Sequence, residues 1–512
     1  MSEPFNRILI LIGIAVGLNL AATPASAHAF VSRYDLPLPL AFYLTAAGAA
    51  VVLSFVVIAR FLKRRDGIED VPLFNLLGLP LIRQLGTPLA LNAMRSLSVT
   101  VFGLILAAGL FGDPDTFDNI APTFVWVVWW VGMAFASALV GNLWDLVNPW
   151  KILFTWTERA LGGIKSPYAY PLVLSRWPAV LLFLLFAWLE LISEQAVQPF
   201  NLAILIIAYS TITWIGMTAY GRDTWLENAE VFSAVFGLLA KFAPTVGAVG
   251  RWDIRLPAAG LLIERPVHIS TVCFVLLLMT TITFDGILET PVWAGVLDRI
   301  AVSQALGGGL IELQTAGVYR IALVKSAALI VLPCLFVGVY FVFSHAIAMF
   351  GGSGRVSTRD VIGYFVLSLV PIAIAYHLSH YLSYLLISGQ NIIPLASDPF
   401  GLGWDLFGTV AYRVDISIIN AKMVWYVAVT TIVVGHVFAV YVAHVMAMRV
   451  FTDRGAALRS QIPMLVLMVG YTMISLWILS QPIVGSPSLS FLNAPKGALT
   501  LAPFALAAVL VD

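Results

Sequence analysis

Long apolar runs separated by short charged stretches organise this chain from end to end. A helix rising 1.5 Å per residue needs about 20 apolar residues to cross a bilayer core of about 30 Å. Runs of suitable length occur at 39–62, 94–112, 122–142, 178–194, 200–220, 267–285, 320–346, 361–388, 422–448 and 462–480. They predict an all-α, polytopic transmembrane helix bundle of about ten spans. The run 178–194 is the weakest, being short and carrying Glu190. The tail 498–511 is apolar but too short to span, and is expected to lie on the surface or against the bundle. A segment around 232–242 looks amphipathic and is expected along the inner interface.

The N-terminal stretch ahead of these runs has a different character. Arg7, the apolar stretch Ile8 to Leu20 and the sequence Thr23-Pro24-Ala25-Ser26-Ala27 have the order of a secretory signal with an A-x-A-type cleavage site. Residues 1–27 are therefore expected to be a cleaved signal peptide, with 28–512 a single transmembrane helical domain. His28 becomes the mature N-terminus, on the periplasmic face of a bacterial inner membrane.

Composition agrees with a lipid solvent, for only 11% of the residues are charged and 60% are hydrophobic. Basic residues give the orientation. Of the 28 Lys and Arg, only Arg33, Arg299, Arg320, Arg413, Lys422 and Lys496 fall on the outer side of the ten-span map. Arg7 lies in the signal and Lys325 within the seventh span, so the other twenty fall on the cytoplasmic side. A net charge of +1 gives no reason to expect nucleic acid as a partner. The two cysteines, Cys273 and Cys334, sit in apolar runs and offer neither a disulfide framework nor a zinc-finger spacing.

Nucleotide-binding, nucleophile-elbow and zincin signatures are absent, so chemistry has to be sought among polar residues at membrane depth. His377 and His380 are i and i+3 on the eighth span and share a helix face. They lie roughly 12–17 Å below its outer end, and His436 lies roughly 20 Å below the outer end of the next span. Pro371 precedes them and is expected to kink the helix. Imidazoles at neighbouring depth on consecutive helices can build an internal metal site, and intramembrane ionisable groups mark function. A mature N-terminal His28 adds an amino–imidazole chelate suited to copper or zinc. Glu190, Asp285 and Asp398 are the acidic candidates for orienting a histidine or acting as general base. His268, His345 and His444 map to the cytoplasmic ends and are expected to tolerate substitution.

Three segments carry a family resemblance. They are His28-Ala29-Phe30-Val31-Ser32-Arg33-Tyr34-Asp35-Leu36-Pro37-Leu38-Pro39, the stretch His377-Leu378-Ser379-His380-Tyr381-Leu382-Ser383-Tyr384, and Ser397-Asp398-Pro399-Phe400-Gly401 with Gly403-Trp404-Asp405-Leu406-Phe407-Gly408-Thr409. They resemble the fenitrothion hydrolase-like bacterial membrane proteins, and length, signal and span pattern are similar over the whole chain. The resemblance implies a membrane-bound organophosphorus triester hydrolase working with a second homologous membrane subunit. It brings no defined site residues. The combined expectation is a metal-assisted hydrolase of apolar phosphotriesters, with zinc or copper held by His377, His380 and His436 together with His28. Two alternatives stand beside it. One is a membrane protein that transports or handles a metal or small molecule. The other is a haem-binding subunit of a redox complex, with His377 and His436 as axial ligands.

Overall fold

The computed structural model describes residues 36–62, 73–303, 320–352 and 356–484. The expected signal peptide 1–27, His28 and the tail 498–511 lie outside the described residues. Among those described, nine helices are long and apolar enough to cross a membrane. In chain order the main helices are α1 (Leu40–Phe61), α2 (Pro88–Phe111), α3 (Ile120–Leu139), α4 (Pro149–Ala160), α5 (Trp177–Leu191), α6 (Pro199–Tyr220) and α7 (Val231–Ala240). They continue with α8 (Ile269–Leu288), α9 (Pro291–Val302), α10 (Arg320–Phe350), α11 (Thr358–Phe365), α12 (Val370–Ser388), α13 (Ala421–Val450) and α14 (Arg454–Val484).

Nine of the ten predicted runs coincide with these long helices. The tenth, 178–194, is α5, which at 15 residues is shorter than a full span. A 3-10 turn at Glu194–Val197 and Pro199 at the head of α6 end it early. The loops 244–254 and 73–75 meet in a small antiparallel sheet that the apolar pattern does not foretell. It has the order β1 (Phe74–Asn75), β3 (Arg251–Ile254), β2 (Thr245–Ala248).

Burial sorts the helices. Along the stretch Thr358–Ser397, which contains α11 and α12, 89% of the apolar window is buried within the protein, against 11% for α10. The two most enclosed segments, α8 and α11–α12, therefore form the axis of the bundle, and α1, α2 and α10 turn most of their surface to lipid. Alpha12 and α13 approach closely. A Cβ on Gly435 would stand 2.3 Å from Ala375 Cβ and 2.8 Å from the Pro371 carbonyl oxygen, the small-residue contact that lets membrane helices meet. Gly435→Leu is expected to force the pair apart and cost at least the 1–3 kcal/mol typical of overpacking. The thermal unfolding midpoint in detergent reads this, and a midpoint equal to the parent's would contradict the contact.

The expected kink at Pro371 takes the form of a 3-10 turn, Val366–Leu369, with Pro371 in the first turn of α12, where its missing N–H costs nothing. The segment read as an interfacial helix is corrected by the structure. It is α7, and Val231, Phe232, Val235, Phe236, Leu238 and Leu239 are all buried. Phe232 and Phe236 pack against Trp129, Trp130 and Trp144, so the aromatic face that looked suited to lipid headgroups is used inside the bundle. Alpha7 also carries opposite charges at its ends. Glu230 accepts from the Phe232 and Ser233 amides at its N-terminus, and Arg255 donates to the Ala240, Lys241 and Ala243 carbonyls at its C-terminus. Both suit the helix dipole.

Candidate active site

Four elements bring polar groups together beside the axis of the bundle. On α12 the i, i+3, i+4 spacing places His377, His380 and Tyr381 on adjoining faces. Alpha8 supplies Asp285 near its C-terminal end, α5 supplies Glu190 in its last turn, and α3 supplies Trp130. Trp130 lies in a π-helical stretch, Thr123–Val131, whose wider winding re-aims side chains relative to an α-helix.

The centre is one carboxylate oxygen. His380 Nε2 stands 2.9 Å from Asp285 Oδ2, and the Tyr381 hydroxyl donates to the same oxygen at 2.8 Å. The pair is nearly enclosed, with side-chain exposures of 5% for His380 and 14% for Asp285, so water touches only the rim of the carboxylate. The His377 and Tyr381 rings are 4.7 Å apart, and those of His380 and Tyr381 4.8 Å. His377 is buried among Trp130, Phe135 and Tyr381, with the backbone of Val131 as a polar neighbour. Its Nε2 has no hydrogen-bond partner among the described residues. Glu190 accepts from the Trp130 indole N–H at 2.6 Å and lies close enough to Asp285 to feel its charge. Just beyond the end of α8, burial and then Asp285 push the Glu289 carboxyl up, while His380 and Lys325 oppose that shift.

The cluster unites six groups that the sequence leaves scattered or unnoticed. His377, His380, Asp285 and Glu190 were singled out there, and the structure brings them into one neighbourhood. Tyr381 and Trp130 were missed as site residues. Tyr381 carries a legible signal, since it follows one histidine directly and the other by a turn. Trp130 does not, because only the π winding turns it toward Glu190.

The expected metal triad is not assembled. His436 turns its Nδ1 back to the Ile432 carbonyl at 2.8 Å and faces Tyr471 on α14, with ring centroids 6.2 Å apart. The reason is the contact of Gly435 with Pro371 and Ala375, which sets His436 beside the turn of α12 that precedes His377. Among the described residues no group of three or more His, Cys, Asp or Glu is gathered closely enough to hold a metal ion. His28, the fourth expected ligand, lies outside the described residues.

Asp398 also departs from its expected role. Its carboxylate accepts from the amides of Leu402, Gly403 and Trp404 at 2.9, 2.6 and 3.1 Å and holds the loop that follows the helix Ile392–Ser397. Three backbone donors use it as a turn anchor. The remaining described histidines have structural partners. His268 caps α8, His345 meets the Thr358 hydroxyl at 3.1 Å, and His444 pairs with Gln461 at 2.9 Å. Comparison of the chain with known protein families, curated proteins and solved structures finds no match in any of the three.

Proposed function

We propose that this protein is a membrane-embedded hydrolase of apolar esters, with organophosphorus triesters as the substrate class, acting in the outer half of a bacterial inner membrane. One observation carries the reading. A carboxylate-held imidazole, His380 on Asp285, stands within a turn of α12 from a second imidazole, His377, whose Nε2 has no partner among the described residues. An imidazole with an open nitrogen is a proton acceptor, and a neighbouring Asp–His pair is a place to pass the proton on. The motif resemblance supplies the substrate class.

In the reaction, His377 Nε2 accepts a proton from water as the water oxygen bonds to phosphorus. The P–O bond to the aryl group breaks, and its electron pair leaves on a nitrophenolate. A dialkyl thiophosphate remains, and the proton returns to bulk solvent. Nitrophenolate is a good leaving group, so no strong general acid is required. Lipid-soluble triesters reach such a site from the bilayer. The test is nitrophenolate release from a nitrophenyl thiophosphate triester by the purified protein in nanodiscs. Turnover supports the reading, and none under any reconstitution, with or without a homologous partner subunit, contradicts it.

The topology belongs to the same proposal. Alpha5 is the tenth crossing, completed by the residues around it, and the mature N-terminus at His28 is periplasmic, as the distribution of Lys and Arg supports. Reporter fusions after Arg159 and after Arg359 are expected to report cytoplasm. A periplasmic signal at either would overturn the map.

A second reading, proton-coupled transport, is favoured by the breaks that flank the cluster, the π stretch in α3 and the 3-10 turn before α12. Uptake of a labelled compound without chemical change would select it over hydrolysis.

A further inference from the structure

A polar cavity of about 300 Å³ opens at the end of the bundle opposite the acid–histidine cluster. It is walled by the short helix Leu143–Val147 with its cap Asn142, the first turn of α4, the start of α5, the short helix Arg222–Asn228 and one face of α7. Three cations, Lys151, Arg176 and Lys241, and three anions, Asp145, Asp223 and Glu227, line it. Two of the anions have close partners within the protein: Asp145 binds Lys151 at 2.5 Å, and Asp223 binds Arg222 at 2.9 Å.

Arg176 differs from the other cations. It is the residue before α5, and its backbone N–H is bound to the Ser270 hydroxyl, which fixes where the side chain starts. Its guanidinium makes no hydrogen bond to a protein acceptor among the described residues, although Glu227 lies near enough to act on it electrostatically. Burial holds it below the usual arginine range. A half-buried guanidinium on the wall of a cavity, with five donors in a planar fork, is suited to hold an anion.

We propose that this cavity binds a phosphoethanolamine group, with the phosphate on Arg176 and the ammonium on Glu227. Sign complementarity selects the class. A lone anion would face three carboxylates and a lone cation would face three bases, whereas a zwitterion with charges a few ångströms apart meets both. The guanidinium fork matches two phosphate oxygens. Glu227 is exposed at the rim, where an ammonium can reach it. The volume is at the lower end of the range for small-ligand pockets, about 300–1,000 Å³, and suits a group of this size. Its source is either the free compound or the headgroup of a phospholipid at the membrane surface.

The experiment uses the full chain in nanodiscs made without phosphatidylethanolamine, and reads the thermal unfolding midpoint against added O-phosphoethanolamine. A saturable rise is expected, with an apparent affinity at least tenfold tighter than for inorganic phosphate or ethanolamine alone. Arg176→Gln is expected to weaken it at least tenfold. Should that variant fail to fold, Glu227→Gln serves instead and is expected to weaken phosphoethanolamine tenfold while leaving phosphate binding unchanged. Repeating the titration in discs that contain phosphatidylethanolamine separates the sources. A shift that disappears there assigns the lipid headgroup, and a shift that persists assigns the free compound. Absence of any saturable shift, equal affinity for phosphate alone, or undiminished binding by both variants would overturn the proposal.

Discussion

Asp285→Asn is expected to leave a folded, membrane-inserted protein whose triester turnover has fallen by roughly 10²–10⁴-fold, the range general acid–base groups supply. An amide can still accept from the Tyr381 hydroxyl, so local packing survives, but it cannot hold His380 as a carboxylate does. His377→Gln is expected to fall in the same range, because it removes the nitrogen that takes the proton from water in the proposed reaction. Tyr381→Phe should cost less, since it removes one of two donors to Asp285 Oδ2 and leaves the histidine pair in place. Initial rates of nitrophenolate release, with size-exclusion profiles as the folding control, give the comparison. Full activity in both Asp285→Asn and His377→Gln would remove this cluster from catalysis.

The largest expected effect on stability lies elsewhere, at Glu230. Its carboxylate is fully buried and accepts from the Tyr209 hydroxyl at 2.5 Å, the Phe232 and Ser233 amides at 3.0 and 2.7 Å, and the Asn148 side chain at 3.3 Å. Glu230→Ala leaves those donors without an acceptor at the head of α7, in the middle of the Trp129–Trp150 aromatic cluster. Orphaned buried donors cost about 1–3 kcal/mol each. The unfolding midpoint in detergent is expected to drop by about 5 °C or more. Glu230→Gln keeps one acceptor oxygen and should lose less. An unchanged midpoint in Glu230→Ala would mean that α7 does not depend on its cap.

The contrast between these two sites marks what the sequence can carry. Long apolar runs specify transmembrane helices because length and composition alone decide the matter, and nine of the ten runs correspond to such helices. The intramembrane polar residues stood out for the same reason, since a histidine or carboxylate among apolar neighbours is costly without a purpose. What the sequence could not carry was azimuth and depth. His436 has the right residue type near the right depth, yet the approach of Gly435 to Pro371 lowers it by a turn and its ring bonds its own helix. Alpha7 has the pattern of an interfacial helix, and only tertiary packing shows that its aromatic face meets Trp129, Trp130, Trp144 and Trp150. Asp398 looks like a free carboxylate until the loop folds around it. Trp130 becomes a partner of Glu190 through a π winding that no periodicity predicts.

The most direct measurement of the central claim is the fate of oxygen during turnover in ¹⁸O-labelled water. Nanodisc-embedded protein acting on a nitrophenyl thiophosphate triester should yield a dialkyl thiophosphate carrying one ¹⁸O per molecule and a nitrophenol carrying none. That pattern follows from attack of a His377-activated water at phosphorus. Label in the nitrophenol, or product formation at the same rate in His377→Gln, would contradict it.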